Sequence, residues 1–198
     1  MRITGGTARG IPLSLPQRGE IRPATDYIRE AVFSSLGDLP EDARILDVFA
    51  GTGAYALEAV SRGARSACLI DKNAAATAIQ KKNFAAVKKS LEAAGKAIPQ
   101  IDFMSLDLLK DNPFPAGFPR VDLIFCDPPW ALWKSTQIVN LVTALASLAD
   151  EATPWARLIL EAPSGCEPPV PAGWEVAKRI GKKGKDQPVA AVLKRAVA

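Results

Sequence analysis

The chain has 198 residues and is 48% hydrophobic, enough for one substantial core and short for two. It contains no histidine, which removes Ser-His and Cys-His catalytic arrangements and the common zinc sites, so no metal centre is expected. The net charge of +4 is uneven: the segment from Trp174 onward carries an excess of five positive charges and the remainder sums to −1. Such a basic end fits a polyanion such as RNA, and equally a solvated lysine-rich surface.

No apolar run reaches membrane-spanning length, and Met1-Arg2-Ile3-Thr4-Gly5-Gly6 has no signal-peptide core. A cytoplasmic protein with no membrane contact is expected. Cys68, Cys126 and Cys166 are odd in number and widely spaced, which predicts reduced thiols and not a disulfide framework.

Residues 1 to about 22 read as an amino-terminal arm, with 23–198 as the main domain. Arg2-Ile3-Thr4 and Ile11-Pro12-Leu13-Ser14-Leu15 flank a glycine-containing loop, a hairpin-like pattern. Arg2, Arg9, Arg18 and Arg22 make this arm basic, either a flap over an edge or an RNA-touching segment. Apolar positions 28, 32, 33 and 36 predict a helix, with Thr25 as its N-cap and Gly37 as its C-cap.

Arg44 to Phe49 reads as a strand, Ala50-Gly51-Thr52-Gly53 as a tight turn, and Ala54 to Arg62 as a helix closed by Gly63. Ser66 to Asp71 is the next strand, followed by a helix from Asn73 to about Ala94. Ile101 to Met104 is a third strand, with Asp107 just past it. After the proline-broken stretch 112–119, Val121-Asp122-Leu123-Ile124-Phe125-Cys126 is a β-rich run. Ser135 to Ala149 predicts a helix, Ala156 to Glu161 a strand, and 163–171 a proline-rich loop. Trp174–Ile180 and Val189–Arg195 read as a closing strand pair around Gly181-Lys182-Lys183-Gly184-Lys185. Strands alternating with helices predict an α/β three-layer sandwich, its sheet mostly parallel with an antiparallel edge at the carboxyl end.

Two stretches carry chemistry. In Asp47-Val48-Phe49-Ala50-Gly51-Thr52-Gly53 the glycines let the backbone turn sharply and approach a ligand, and the following helix amino terminus adds donors. Asp71 ends the next strand, where a carboxylate takes both hydroxyls of a ribose. Ala56 meets the third position of the dinucleotide fingerprint, so spacing alone leaves NAD open. Asp47 suits an ammonium better than a pyrophosphate, and Asp107 can accept from an adenine amine. The three acids together match S-adenosylmethionine better than NAD.

The second stretch is Asp127-Pro128-Pro129-Trp130, a stiff corner past the carboxyl end of a strand, where open α/β sheets bind ligands. Accepting the hydrogens of an exocyclic base amine at Asp127 and the Pro128 carbonyl favours the pyramidal nitrogen that attacks a methyl group. Trp130 would stack on the base. Guanine presents two adjacent donors, which a carboxylate takes together, whereas adenine presents a ring acceptor that a carboxylate repels. Asp127 therefore favours guanine.

With these motifs the sequence resembles the RsmD-like 16S rRNA guanine-N2 methyltransferases, of the class I S-adenosylmethionine-dependent fold. The resemblance runs through Arg2 to Gly6 with Arg9-Gly10, Arg22-Pro23-Ala24-Thr25-Asp26 with Arg29-Glu30, the Asp47–Gly53 stretch, Leu57-Glu58-Ala59, Ser61 to Ala64, and Asp127-Pro128-Pro129. It implies a seven-stranded Rossmann-like sheet and cofactor contacts at Asp47, Phe49, Ala50, Gly51, Gly53, Asp71, Lys72, Asp107 and Thr25. It also implies Asp127, Pro128, Pro129 and Trp130 as the catalytic corner, and a guanine of 16S rRNA, free or in an assembling small subunit, as substrate. Arg2, Arg9, Arg22, Lys182, Lys183 and Lys185 are the candidate phosphate contacts, and a monomer is expected. Trp130 stands where the family has phenylalanine or tyrosine, and Ala24 where threonine is common. A relative acting on adenine or on a protein glutamine is the alternative, as is a non-catalytic RNA-binding module; the first usually has asparagine at the position of Asp127.

Overall fold

The structure, a computed structural model, describes residues 1–15, 25–110, 114–181, 184 and 187–197, with Thr25 placed by its backbone. Helix α1 spans Thr25–Leu36, β1 Arg44–Val48, α2 Ala54–Ser61, β2 Ser66–Ile70, α3 Ala74–Ala93 and β3 Gln100–Met104. Then follow β4 Leu123–Cys126, a 3-10 helix Trp130–Lys134, α4 Gln137–Leu148, β5 Arg157–Pro163, β6 Trp174–Ile180 and β7 Pro188–Arg195.

The strands form one sheet in the order β3-β2-β1-β4-β5-β7-β6. The first five are parallel, while β7 runs antiparallel to both β5 and β6. This is the seven-stranded, mostly parallel sheet with an antiparallel strand at the carboxyl end that the sequence predicts. The order reverses between β1 and β4, and such a switch point opens a crevice at the carboxyl edge.

Residues of the inner strands alternate between two buried faces, which is why they read as continuous apolar runs. Ile45, Leu123, Phe125 and Ile159 pack with α1, α2 and α3, whereas Leu46, Val48, Ile124, Leu158 and Leu160 pack beneath α4. Each fully buried side chain of this size contributes about 1.5–3 kcal/mol. Between the helices and the sheet, Phe33, Tyr55 and Phe125 form an aromatic cluster with ring centroids 5.0 to 6.3 Å apart.

Boundaries differ where local geometry intervenes. The strand expected to run to Phe49 ends at Val48, because Phe49 adopts φ 58° and cannot continue the ladder. Thr25, expected as an N-cap, is the first residue of α1. The expected strand from Val121 is shorter: Val121 makes an isolated parallel bridge to Ala149, and Asp122 turns its carboxylate to the Arg44 guanidinium 2.6 Å away. The expected helix from Ser135 begins at Gln137, preceded by the 3-10 turn. Strand β5 runs on to Pro163, into the stretch read as loop.

Residues 1–15 of the expected arm fold back on themselves, with Arg2 to Pro12 as their one ladder pair among the described residues, and 16–22 lie outside those residues. The arm's Ile3, Ala8 and Leu13 are buried in the same cluster as α1 and α2. Among the described residues, no helix is long and apolar enough to cross a membrane.

Candidate active site

The glycine turn is held from both sides. Ala50 N–H donates to the Ile70 carbonyl at 3.0 Å and Gly53 N–H to the Ala50 carbonyl at 2.7 Å, closing the turn onto β2. Gly53 has φ 79°, and a Cβ there would meet Leu69 Cδ2 at 2.7 Å, so neither its backbone nor its packing admits a side chain. Gly51 has φ 51°, but a Cβ there would meet nothing nearer than the Phe49 carbonyl oxygen at 3.9 Å. Its outer face is open to an approaching ligand.

Two buried amides of α3 support the turn from below. Gln80 donates to the Gly51 carbonyl at 3.1 Å and Asn83 to the Thr52 carbonyl at 2.9 Å. Sequence reasoning missed both. The signal was present, since 80, 83, 87 and 91 lie on one helical face whose other members are Val87 and Leu91.

The acids take up distinct stations. Asp71, half-buried, accepts from Gly51 N–H and Asn73 N–H, each at 2.9 Å, with lone pairs remaining on the outer side. Asp47 lies beneath the turn, 3% exposed, and accepts from Ala56 N–H at 3.0 Å. Burial pushes its carboxyl up to about 7; the Ala56 N–H opposes this, the Asp71 charge adds to it, and Arg29 opposes it. Asp107 is exposed past β3 and accepts from Leu109 N–H at 3.2 Å. Phe49, Lys72, Asp107 and Pro129 line one cavity of about 310 Å³, walled by Leu106, Leu108, Leu109 and Leu132.

The register sets Asp127 beside the glycine turn and Asp71. Val48 pairs with Ile70 on one side and with Cys126 on the other, so the residues that follow, Asp71, Phe49 and Asp127, leave the sheet abreast at one edge. Neighbouring strands are separated by about 4.8 Å, so the residues that leave them are immediate neighbours. Asp127 is half-buried, Pro128 buried, Pro129 exposed and Trp130 half-buried at the start of the 3-10 helix. The Asp127 charge also reaches the Tyr55 phenol and the Cys126 thiol, a point where α2 meets β4.

The basic candidates are spread more widely. Arg2 and Arg9 are exposed on the arm. The arm's loop is bonded to the carboxyl end of α2 through Thr7 N–H to the Ser61 carbonyl, a helix length from the glycine turn. Arg22, Lys182, Lys183 and Lys185 lie outside the described residues, as does the side chain of Thr25.

The arm is joined to the site's framework by buried charge. Glu58 on α2, fully buried, accepts from Thr4 N–H and Oγ1 at 2.7 and 2.8 Å and from Arg62 Nη2 at 3.0 Å. Arg29 of α1, 1% exposed, approaches Glu58 at 3.4 Å and Asp26 at 2.8 Å, and donates to the Arg2 carbonyl. A second pair joins half-buried Tyr55, through its Oη, to Oε2 of buried Glu161 at 2.7 Å, near Asp127. Neither pair is visible in the sequence, because the partners are far apart in the chain.

Comparison with known proteins follows the same outline. The family model described as Conserved hypothetical protein 95 matches residues 1–187. Ribosomal RNA small subunit methyltransferase D of Escherichia coli (strain K12) is 35% identical over 176 residues, covering 89% of this chain and 82% of that protein. Its namesake in Haemophilus influenzae is 32% identical, covering 72% and 70%. The solved structure of yhhF from Escherichia coli superposes with a TM-score of 0.71 at 30% identity, covering 100% of this chain and 99% of that one.

Proposed function

Taking as premise that the chain belongs to the ribosomal RNA small subunit methyltransferase D family, we propose that it transfers a methyl group from S-adenosylmethionine to the exocyclic N2 amine of a guanine in 16S rRNA. The observation that carries the proposal is the register that sets Asp127 beside the glycine turn and Asp71.

The residues present suit this cofactor. The open face at Gly51 admits a ligand against bare backbone, and Asp71 offers carboxylate oxygens for ribose hydroxyls. The Phe49 cavity provides apolar walls for a flat base, with Asp107 and Lys72 at its rim. Ala50 and Gly53 shape the turn, and Asp47, buried beneath it, fixes the start of α2 by accepting from Ala56 N–H. Bound S-adenosylmethionine supplies an activated methyl on a sulfonium.

The protein's own work is then alignment and proton acceptance. Asp127 and the Pro128 carbonyl accept the guanine N1 and N2 hydrogens, turning the amine lone pair toward the methyl. The rigid Pro128–Pro129 corner fixes that direction, and Trp130 holds the base plane. Asp127 is the group placed to take the proton that the methylated amine must release. Arg2, Arg9, Arg22, Lys182, Lys183 and Lys185 supply phosphate contacts that position the rRNA, free or within an assembling subunit. The setting for this reaction is the cytoplasm, with the protein acting as a monomer.

The test is to map methylated nucleosides in small-subunit rRNA from cells with and without the protein. Loss of one N2-methylguanosine is the expected result; an unchanged guanosine pattern with a lost methyladenosine would contradict it.

A further inference from the structure

Tyr55 and Glu161 connect the two halves of the site. Tyr55 is the second residue of α2, two residues after Gly53, and therefore moves with the glycine turn. Its hydroxyl donates to Glu161 Oε2 at 2.7 Å, and its ring stacks on Phe125, centroids 5.0 Å apart and 21° from parallel. Phe125 is two residues before Asp127 on β4. Glu161 follows Leu160, the β5 partner of Cys126, so it stands abreast of Asp127. One side chain of α2 thus contacts both β4, which leads into the acceptor corner, and its neighbour β5.

A glutamate is a costly choice for packing alone. Glu161 is 2% exposed, and an apolar residue of similar volume would fill the space without a desolvated carboxylate. The charged groups that reach the phenol are Glu161 from β5, Asp127 just past β4 and Arg29 from α1. Burial, then the Glu161 charge, drives the phenol well above its ordinary range, so it remains a donor at any working pH.

We propose that Tyr55 and Glu161 form a positioning clamp that fixes the acceptor corner at reacting distance from the glycine turn. In this proposal the clamp acts through the corner and not by contact with cofactor or base. Its effect is on alignment, where a displacement of about 1 Å costs on the order of a hundredfold in rate. The rate consequence rests on the methyltransferase reading; the coupling between α2 and β4–β5 does not.

The experiment compares Y55F, E161Q and E161L with the wild-type chain. Methyl-transfer kcat and KM on 16S rRNA, S-adenosylmethionine Kd by calorimetry, and amide hydrogen exchange are measured on each. Y55F keeps the ring stack and should lower kcat by about tenfold or more while leaving the cofactor Kd within about twofold. E161Q retains an oxygen for the phenol and should be faster than E161L. Exchange should rise together in 53–57 and 125–127 of Y55F, and not in α4.

A Y55F enzyme with wild-type kcat and unchanged exchange overturns the clamp, and so does equal activity of E161Q and E161L. A wild-type chain that binds no S-adenosylmethionine and methylates no rRNA overturns the functional reading instead. In that case the exchange data alone judge the coupling.

Discussion

Val48 and Cys126 are paired neighbours on β1 and β4, so the glycine turn that follows one and the acid corner that follows the other leave the sheet side by side. Under the proposed function, methyl donor and acceptor therefore meet at adjacent strand ends across the switch point.

Asp47 makes stability depend on pH in an unusual direction. Its carboxyl titrates near 7 when folded, against an ordinary value near 3.8, so the folded state holds the proton over that window and the unfolded state does not. Stability contributed by the protonated form is full below about pH 4 and is lost as pH rises through 7. In D47N the amide oxygen still accepts from Ala56 N–H, and the ionisation cost disappears. Urea unfolding at pH 8 should therefore find D47N more stable than wild type by a few kcal/mol at most, using about 1.4 kcal/mol per pKa unit, with the gap closing toward pH 4. A gap that widens toward acid would contradict this.

The two glycines of the turn should respond differently to alanine. Both have positive φ, which costs about 1 kcal/mol or more for alanine. Only Gly53 adds a 2.7 Å encounter with Leu69, which needs the core to shift. G53A should lose clearly more thermal stability than G51A, whereas G51A, facing open space, should act mainly on cofactor affinity. Melting curves and calorimetry on the two variants check the split.

The buried Arg29–Glu58 pair ties the arm to α1 and α2. Removing Arg29 leaves a buried carboxylate short of a partner, and losses of about 3–5 kcal/mol are typical of such a break. R29M should therefore unfold at markedly lower urea, with the arm becoming sensitive to protease before the sheet does. Unfolding at the wild-type midpoint would return this network to a minor role.

If Lys182, Lys183 and Lys185 grip phosphates, rRNA affinity should fall with added salt. Replacing all three by glutamine should then flatten the log–log slope by about 2, at roughly 0.7 per contact for single strands. An identical slope in the triple variant would assign them to ordinary surface.

The sequence made the sheet legible because buried parallel strands are unbroken apolar runs bounded by glycine and acid, as at Ile45-Leu46 and Leu123–Cys126. It made the two site stretches legible because each is local in the chain. It did not reveal the bonds Gln80–Gly51, Asn83–Thr52, Arg29–Glu58 and Tyr55–Glu161, which span 29 to 106 positions. Polar side chains at apolar helix positions, such as Gln80 and Asn83 on α3, are the one trace they leave. Phe49 shows the limit from the other direction: a residue of high β propensity is turned out of its strand by the geometry of the glycine turn that follows.

The most direct measurement is single-turnover methyl transfer to 16S rRNA by D127A and D127N, alongside S-adenosylmethionine Kd for both. Alanine removes both acceptor oxygens, and asparagine replaces one with a donor that opposes the guanine N–H. Both variants should lose about a hundredfold or more in transfer rate while binding the cofactor within about twofold of wild type. Transfer and cofactor affinity falling together, or D127N transferring methyl to guanine at the wild-type rate, would contradict the role of Asp127.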